Sequence, residues 1–405
     1  MKLNARKSLL SLTIAGALCS LSMASFSEVK VGFLGGFTGP IESLTPPILS
    51  GAQLAVSHIN SQGSLLDGQI LVMPTADTTC VDASAASNAG DRLVNSEKVV
   101  AVVGALCSGA TIAAANNAGI PGNVLMVSPA STSPALTDLK DNDLVFRTAP
   151  SDAYQGEVMA RLLKSKGIDE VAITYVNNDY GKGFADALAT AFEKLGGSVA
   201  AKEAHEDGKA DYRAELGSLA STGAQNLVVL AYADGSGQTI LRQAIESGDF
   251  SLFVGGDGMV GDALISALGA DALKGMIATK PGTPDAPGTT AFSKLASTVV
   301  GFDPKAVFAA QAYDAAFLIG LAIEEKGSAD REGMSEALRK VATAPGEIIL
   351  PGEWAKAKKL LDEGKDINYQ GAAGNHEFDA NGDVPGVIVE MGIKNGKFVE
   401  LGQLK

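Results

Sequence analysis

Val29-Lys30-Val31-Gly32-Phe33-Leu34 reads as a strand of the buried kind, and the segment behind it decides the fold. From Pro46 to Ser61 the apolar residues Ile48, Ala52, Leu54, Ala55 and Ile59 recur on one side at helical spacing. The unit then repeats. Strands are expected at Ile70 to Met73, Val99 to Val103 and Val124 to Val127, with helices at Ala83 to Asn95 and Thr111 to Asn117. Strands alternating with helices in this way build a parallel sheet with helices on both faces.

A second set of the same kind begins after Pro150. Helices are expected at Tyr154 to Ser165, Phe184 to Leu195, Tyr212 to Ser221 and Thr239 to Ser247. Between them lie strands at Glu170 to Tyr175, Ser198 to Glu203, Leu227 to Leu230 and Leu252 to Val254. Residues Thr279 to Gly288 hold three prolines and two glycines, which predicts a loop. Long helices follow at about Ala306 to Lys326 and Arg331 to Ala342. The tail carries two Asn-Gly turns, at Asp379 to Asp383 and Lys394 to Lys397, each read as a hairpin.

The 405 residues begin with Lys2, Arg6 and Lys7, an apolar run from Leu9 to Leu21, and small residues at Ser22 and Ala24, the pattern of an export signal over 1–24. Its removal takes the formal charge from −14 to −17, since those three cations go and no anion does. It also takes Cys19; with Leu18 before it, that cysteine is not in the usual setting for lipid attachment. Cys80 and Cys107 remain. An even pair in an exported chain suggests a disulfide, worth about 3.5 kcal/mol for a loop of this length; the alternative is two buried free thiols.

The acidic balance and the lack of any basic run exclude a nucleic-acid binder. Three histidines in separate segments (His58, His205, His376) argue against a metal centre. No G-x-S-x-G elbow and no G-x-x-x-x-G-K-[ST] loop appears. Gly35-Gly36-Phe37-Thr38-Gly39-Pro40 departs from the dinucleotide fingerprint, and Pro40 removes an amide that a phosphate would need. Asp379, Asn381, Asp383 and Glu390 fit the count of a calcium loop, but Val384 stands where that loop needs glycine. No cofactor is expected, and no catalytic residue.

Several segments, in order, resemble the periplasmic leucine/isoleucine/valine-binding proteins, the type I substrate-binding components of ABC transporters. They include Val29-Lys30-Val31-Gly32, Thr38-Gly39-Pro40, Gly51-Ala52-Gln53-Leu54-Ala55-Val56 and Ile59-Asn60-Ser61-Gln62-Gly63. They continue through Cys107-Ser108-Gly109-Ala110-Thr111, Ser128-Pro129-Ala130-Ser131-Thr132, Phe146-Arg147-Thr148, Asp179-Tyr180-Gly181-Lys182-Gly183 and Gly255-Gly256-Asp257-Gly258.

The resemblance implies an α/β, two-lobe type I periplasmic-binding-protein fold, each lobe a mainly parallel sheet with helices on both faces, joined by hinge strands. The expected division is 25–148 plus 280–345 for lobe 1, and 149–279 plus 346–405 for lobe 2. It implies that Cys80 pairs with Cys107. It also implies a ligand held by Ser108, Ala130, Ser131, Thr132, Tyr180, Tyr232, Asp257 and Phe308.

A free amino acid is a zwitterion, so a site that desolvates it must meet both charges. Ser108 and Thr132, in strand-end loops, suit the α-carboxylate. The Ala130 carbonyl and Asp257, where the family commonly has Glu, suit the ammonium. Tyr180 and Tyr232 are placed to close over the ligand, and Leu44 stands where relatives often carry an aromatic. Each also has a plainer reading: helix or turn caps for Ser108 and Thr132, a turn residue for Asp257, packing for the tyrosines and Phe308. The expected function is a periplasmic solute-binding protein, monomeric, that delivers a small aliphatic amino acid to a membrane ABC permease. The alternatives are an amide, urea or small aromatic acid as ligand, or a sensor of the same fold.

Overall fold

The computed structural model describes residues 27–66 and 68–404. The export signal over 1–24 and Cys19 lie outside the described residues. The strands are Glu28–Gly35 (β1), Ile70–Val72 (β2), Thr75–Asp77 (β3), Ala101–Gly104 (β4), Leu125–Ser128 (β5), Val145–Arg147 (β6), Glu170–Val176 (β7), Ser198–His205 (β8), Asn226–Leu230 (β9), Leu252–Gly255 (β10), Ile277–Pro281 (β11), Glu347–Ile349 (β12), Ile367–Tyr369 (β13), Ile388–Lys394 (β14) and Lys397–Leu404 (β15). The helices are Thr45–Ser61 (α1), Ala83–Asp91 (α2), Ser108–Ala114 (α3), Asp152–Ser165 (α4), Asp179–Lys194 (α5), Arg213–Ala220 (α6), Ser236–Ser247 (α7), Asp262–Leu268 (α8), Pro287–Ala296 (α9), Ala309–Lys326 (α10), Met334–Ala342 (α11) and Trp354–Asp362 (α12).

Two sheets organise the chain. The first runs β2-β1-β4-β5-β6, all parallel, with β3 also on β1. Every residue of β4, β5 and β6 is buried, as a parallel strand covered on both faces requires. The second runs β15-β14-β11-β10-β9-β7-β8 and is parallel except at β14 and β15, which pair antiparallel. In the first lobe α1 packs on α10 and α2 on α3; in the second α4 packs on α5 and α6 on α7.

Helix α10 is buried from Ala309 to Glu324, so it is enclosed on all sides rather than along one stripe. Its close approach to α1 depends on Gly51: a Cβ there would stand 2.2 Å from the Ala309 carbonyl oxygen.

The expected boundaries shift in four places. Thr279 to Pro281, expected in a loop, form the end of β11, antiparallel to β14; Pro281 is tolerated because the pairing of β11 with β10 ends at Ala278, so no ladder acceptor waits for its missing N–H. Helix α10 starts at Ala309 rather than Ala306, because Phe308 takes a left-handed φ of 59°. Helix α11 starts after the left-handed Gly333. The turn at 379–383 is not flanked by paired strands, whereas 394–397 does join β14 to β15.

The lobe division also changes. Residues 346–369 were expected in lobe 2 but pack on lobe 1. Trp354 is fully buried, stands edge-on to Phe317 and donates from Nε1 to the Ser64 carbonyl. The Tyr369 hydroxyl donates to Asp314 of α10 at 2.6 Å. One large indole buried between α1 and α10 outweighs sequence order. Among the described residues the chain passes between the sheets in three segments, 148–151, 282–286 and 370–387. No helix among the described residues is long and apolar enough to cross a membrane.

Candidate ligand-binding site

A cavity between the lobes is lined by Ser108, Ala130, Tyr180, Tyr232, Asp257 and Phe308, all expected to hold the ligand. Ile41, Leu44, Ile48, Leu106, Cys107 and Gly258 complete it.

The first-lobe wall comes from loops at the ends of β4 and β5. Cys107 is bonded to Cys80, which staples the loop in front of α3 to the segment after β3. Ser108, first residue of α3, is buried, and its Oγ accepts from the Ser133 amide at 3.2 Å. Two expected residues stand back from the cavity. Ser131 spends its hydroxyl on Thr111 Oγ1 (2.7 Å) and the Ala105 carbonyl (3.2 Å), so it braces the loop. The Thr132 hydroxyl is buried with no hydrogen-bond partner. Phe308 faces both this cavity and a second one on the hinge side; its left-handed backbone, rare for a bulky residue, places its ring at that boundary.

The second-lobe wall is built around one carboxylate. Asp257 opens a short turn after β10 and is buried. Its Oδ1 accepts from the Tyr180 hydroxyl at 3.2 Å and from Gln155 Nε2 at 3.1 Å. Gly258 lets the turn lie under Tyr180, since a Cβ there would be 2.6 Å from the Ala231 carbonyl oxygen and 3.1 Å from the Tyr180 hydroxyl. Asn178 caps α5 through the Gly181 amide and donates its own amide to the Tyr232 hydroxyl at 3.2 Å. The two tyrosine rings stack with centroids 5.3 Å apart. Burial pushes the Asp257 acid up to about 6 and both phenols well above their ordinary range.

The lobes meet across the cleft. The Ser43 amide donates to Asp234 at 2.8 Å, the Asp234 amide to the Pro40 carbonyl at 3.2 Å, and the Ser133 hydroxyl to the Asp179 carbonyl at 2.8 Å. The arrangement is a closed cleft with an anionic and aromatic wall facing an apolar one.

Sequence reasoning missed Gln155 and Asp152. Both sit in the first turn of α4 behind the Ser151 cap, where acidic and polar residues are common for the helix's own sake. Their spacing places them on one helix face, but nothing in the sequence aims that face at Asp257. The histidines lie apart: His58 meets the Tyr313 hydroxyl, His205 sits between Thr174 and Ser236, and His376 pairs with Asp314. The residues of the calcium-loop count are used elsewhere: Asp383 pairs with Arg147 and Glu390 with Lys166. Among the described residues no group of His, Cys, Asp and Glu forms a metal cluster.

The sequence pattern of the family described as the receptor family ligand binding region matches residues 48–391, which includes Ser108, Tyr180, Tyr232, Asp257 and Phe308. The chain belongs to that family. It is 32% identical, over 81% of its length and 86% of the relative's, to the leucine-, isoleucine-, valine-, threonine- and alanine-binding protein of Pseudomonas aeruginosa. Among solved structures it is similar to the leucine-binding protein LivK of Thermotoga maritima (27% identity, TM-score 0.79, 93% of this chain and 99% of that one). It is also similar to the branched-chain amino acid transporter substrate-binding protein LivJ of Streptococcus pneumoniae, solved with isoleucine (25% identity, TM-score 0.76, 94% and 99%). The two-lobe type I binding-protein fold is thus common to this chain and to these members of the family.

Proposed function

We propose that this protein is a periplasmic solute-binding protein. It captures an amino acid with an aliphatic side chain between its lobes and hands it, as a monomer, to a membrane ABC permease without chemical change. The observation that carries this reading is Asp257, a buried carboxylate held by Tyr180 and Gln155 opposite Ile41, Leu44 and Ile48. An ammonium supplies the charge such a group needs, and a branched aliphatic side chain suits the apolar wall. The Ser108 hydroxyl takes the carboxylate and the Ala130 carbonyl shares the ammonium, with the Thr132 loop behind them. The relatives' names point to the same ligand class.

Ligand contacts that exist only in the closed state pull the lobes together, and the closed form is what a permease recognises. The reading predicts saturable heat for leucine, isoleucine or valine when the purified mature protein is titrated with the twenty amino acids. No heat and no thermal shift with any of them would refute it.

A further inference from the structure

Asp152, at the first turn of α4, is fully buried, and neither of its carboxylate oxygens has a hydrogen-bond partner. Thr132 Oγ1 and Gln155 Oε1 are also buried without one. These atoms are held near one another by backbone and helix geometry. The Asp152 amide donates to the Thr132 carbonyl at 2.7 Å, and Gln155 follows on the same helix face. Gln155 gives its Nε2 to Asp257. Asp152 therefore stands between the Thr132 loop of the first lobe and the Gln155–Asp257 contact of the second.

The charged and titratable groups around Asp152 are Asp257 from the turn after β10, Arg147 from β6, Tyr180 from α5 and Tyr232 from the loop after β9. Arg147 is the one cation among them, and it is already engaged. Its Nε and Nη2 bind Asp383 at 2.6 and 2.9 Å, and its Nη1 binds the Ser133 carbonyl at 2.9 Å. Burial, and then the neighbouring Asp257 charge, push the Asp152 acid well above the carboxylate range.

With the ammonium paired to Asp257, an ionised Asp152 would remain a bare charge in the interior, which is strongly unfavourable. A single proton on Asp152 removes that charge. It also supplies the missing donor: the acid O–H can give to Gln155 Oε1 while the other acid oxygen accepts from the Thr132 hydroxyl.

We propose that Asp152 is a positioning residue of the ligand site, present as a neutral carboxylic acid in the closed cleft, where it orients the Thr132 loop and the Gln155 side chain that in turn holds Asp257, the partner of the ligand's ammonium. The proposal rests on the amino-acid reading of the cleft. The proton comes from the buffer as closure excludes water, one proton per cleft, and nothing else is consumed. Asp257 is then the single negative charge that faces a single ammonium, which favours a monoamine zwitterion over a diamine.

Calorimetry of leucine binding at pH 7, in two buffers of different ionisation enthalpy, tests it. The wild type should take up between about half and one proton on binding. Asp152→Asn, which keeps the shape of the neutral acid, should bind leucine within about threefold of wild type and take up none, whereas Asp152→Ala should lose about tenfold or more. Leucine binding with no proton uptake by the wild type would overturn the proposal, as would an Asp152→Asn loss as large as that of Asp257→Asn. Infrared spectra separate this from the ligand reading. A carboxylic-acid C=O band present in wild type and absent in Asp152→Asn supports the proton. If leucine does not bind at all, the amino-acid reading fails and takes the proposal with it, whereas leucine binding to the wild type with no such band in the complex rejects the proton alone.

Discussion

In the first-lobe wall of the cleft, hydroxyl groups hold loops. Ser128 Oγ donates to the Ala105 carbonyl at 2.5 Å, Ser131 braces the same carbonyl, and the Cys80–Cys107 bond fixes the loop before α3. In the second-lobe wall, hydroxyl and amide groups hold a charge: Tyr180 and Gln155 both donate to Asp257. The first wall offers a fixed shape made mostly of backbone and aliphatic carbon. The second offers electrostatics made of side chains that orient one another. Affinity should therefore be concentrated in few residues on the second wall, and stability in the bracing of the first.

The sharpest test of that contrast is Asp257→Ala. An ammonium left buried without its partner costs about 3–5 kcal/mol, so affinity should fall by a factor on the order of 10² to 10⁴ in calorimetry. Ser108→Ala, on the other wall, should cost only about tenfold. Equal losses would erase the distinction. Replacing Cys80 and Cys107 together by serine should lower the unfolding free energy by about 2–4 kcal/mol in denaturant titrations. The affinity of the protein that remains folded should change less than tenfold. A larger effect on affinity than on stability would reverse the roles of the walls.

A third effect follows from Asp257 titrating near 6 instead of 3.8. Between about pH 4 and 6 the folded protein binds more protons than the unfolded chain, so ligand-free stability falls as pH rises through that window and stays lower above it. Asp257→Asn should relieve this cost, on the order of 3 kcal/mol at pH 7, and flatten the profile in thermal unfolding. An unchanged profile would mean that Asp257 is hydrated in the free protein. The smallest effect is expected from Tyr232. Tyr180→Phe removes a donor to a charged group and should weaken binding by about 1.5–3 kcal/mol, while Tyr232→Phe, which loses a neutral bond to Asn178, should cost about 1 kcal/mol or less.

The same contrast explains what was legible in the sequence. The alternation that begins at Val29 and Pro46 reports burial on a helix or strand period, which is local, so the two parallel sheets could be read from it. Ser108, Tyr180 and Asp257 lie in glycine-marked loops at strand ends, and these were legible with the help of the family resemblance. Ser131 sits in the same loop, but its hydroxyl turns toward Thr111, a choice of rotamer that spacing does not encode. Trp354 joins the first lobe through contacts with Ser64 and Phe317, far away in sequence. Asp152 and Gln155 act across the junction of the lobes, and their sequence context is that of any helix start.

The central claim is that one cleft, charged on one wall and apolar on the other, binds an aliphatic amino acid through Asp257. Calorimetric titration of leucine into the wild-type protein and into Asp257→Ala tests it most directly. The account predicts one saturable site in the wild type and a loss on the order of 10² or more in the variant. Leucine affinity that is the same in both proteins would contradict it.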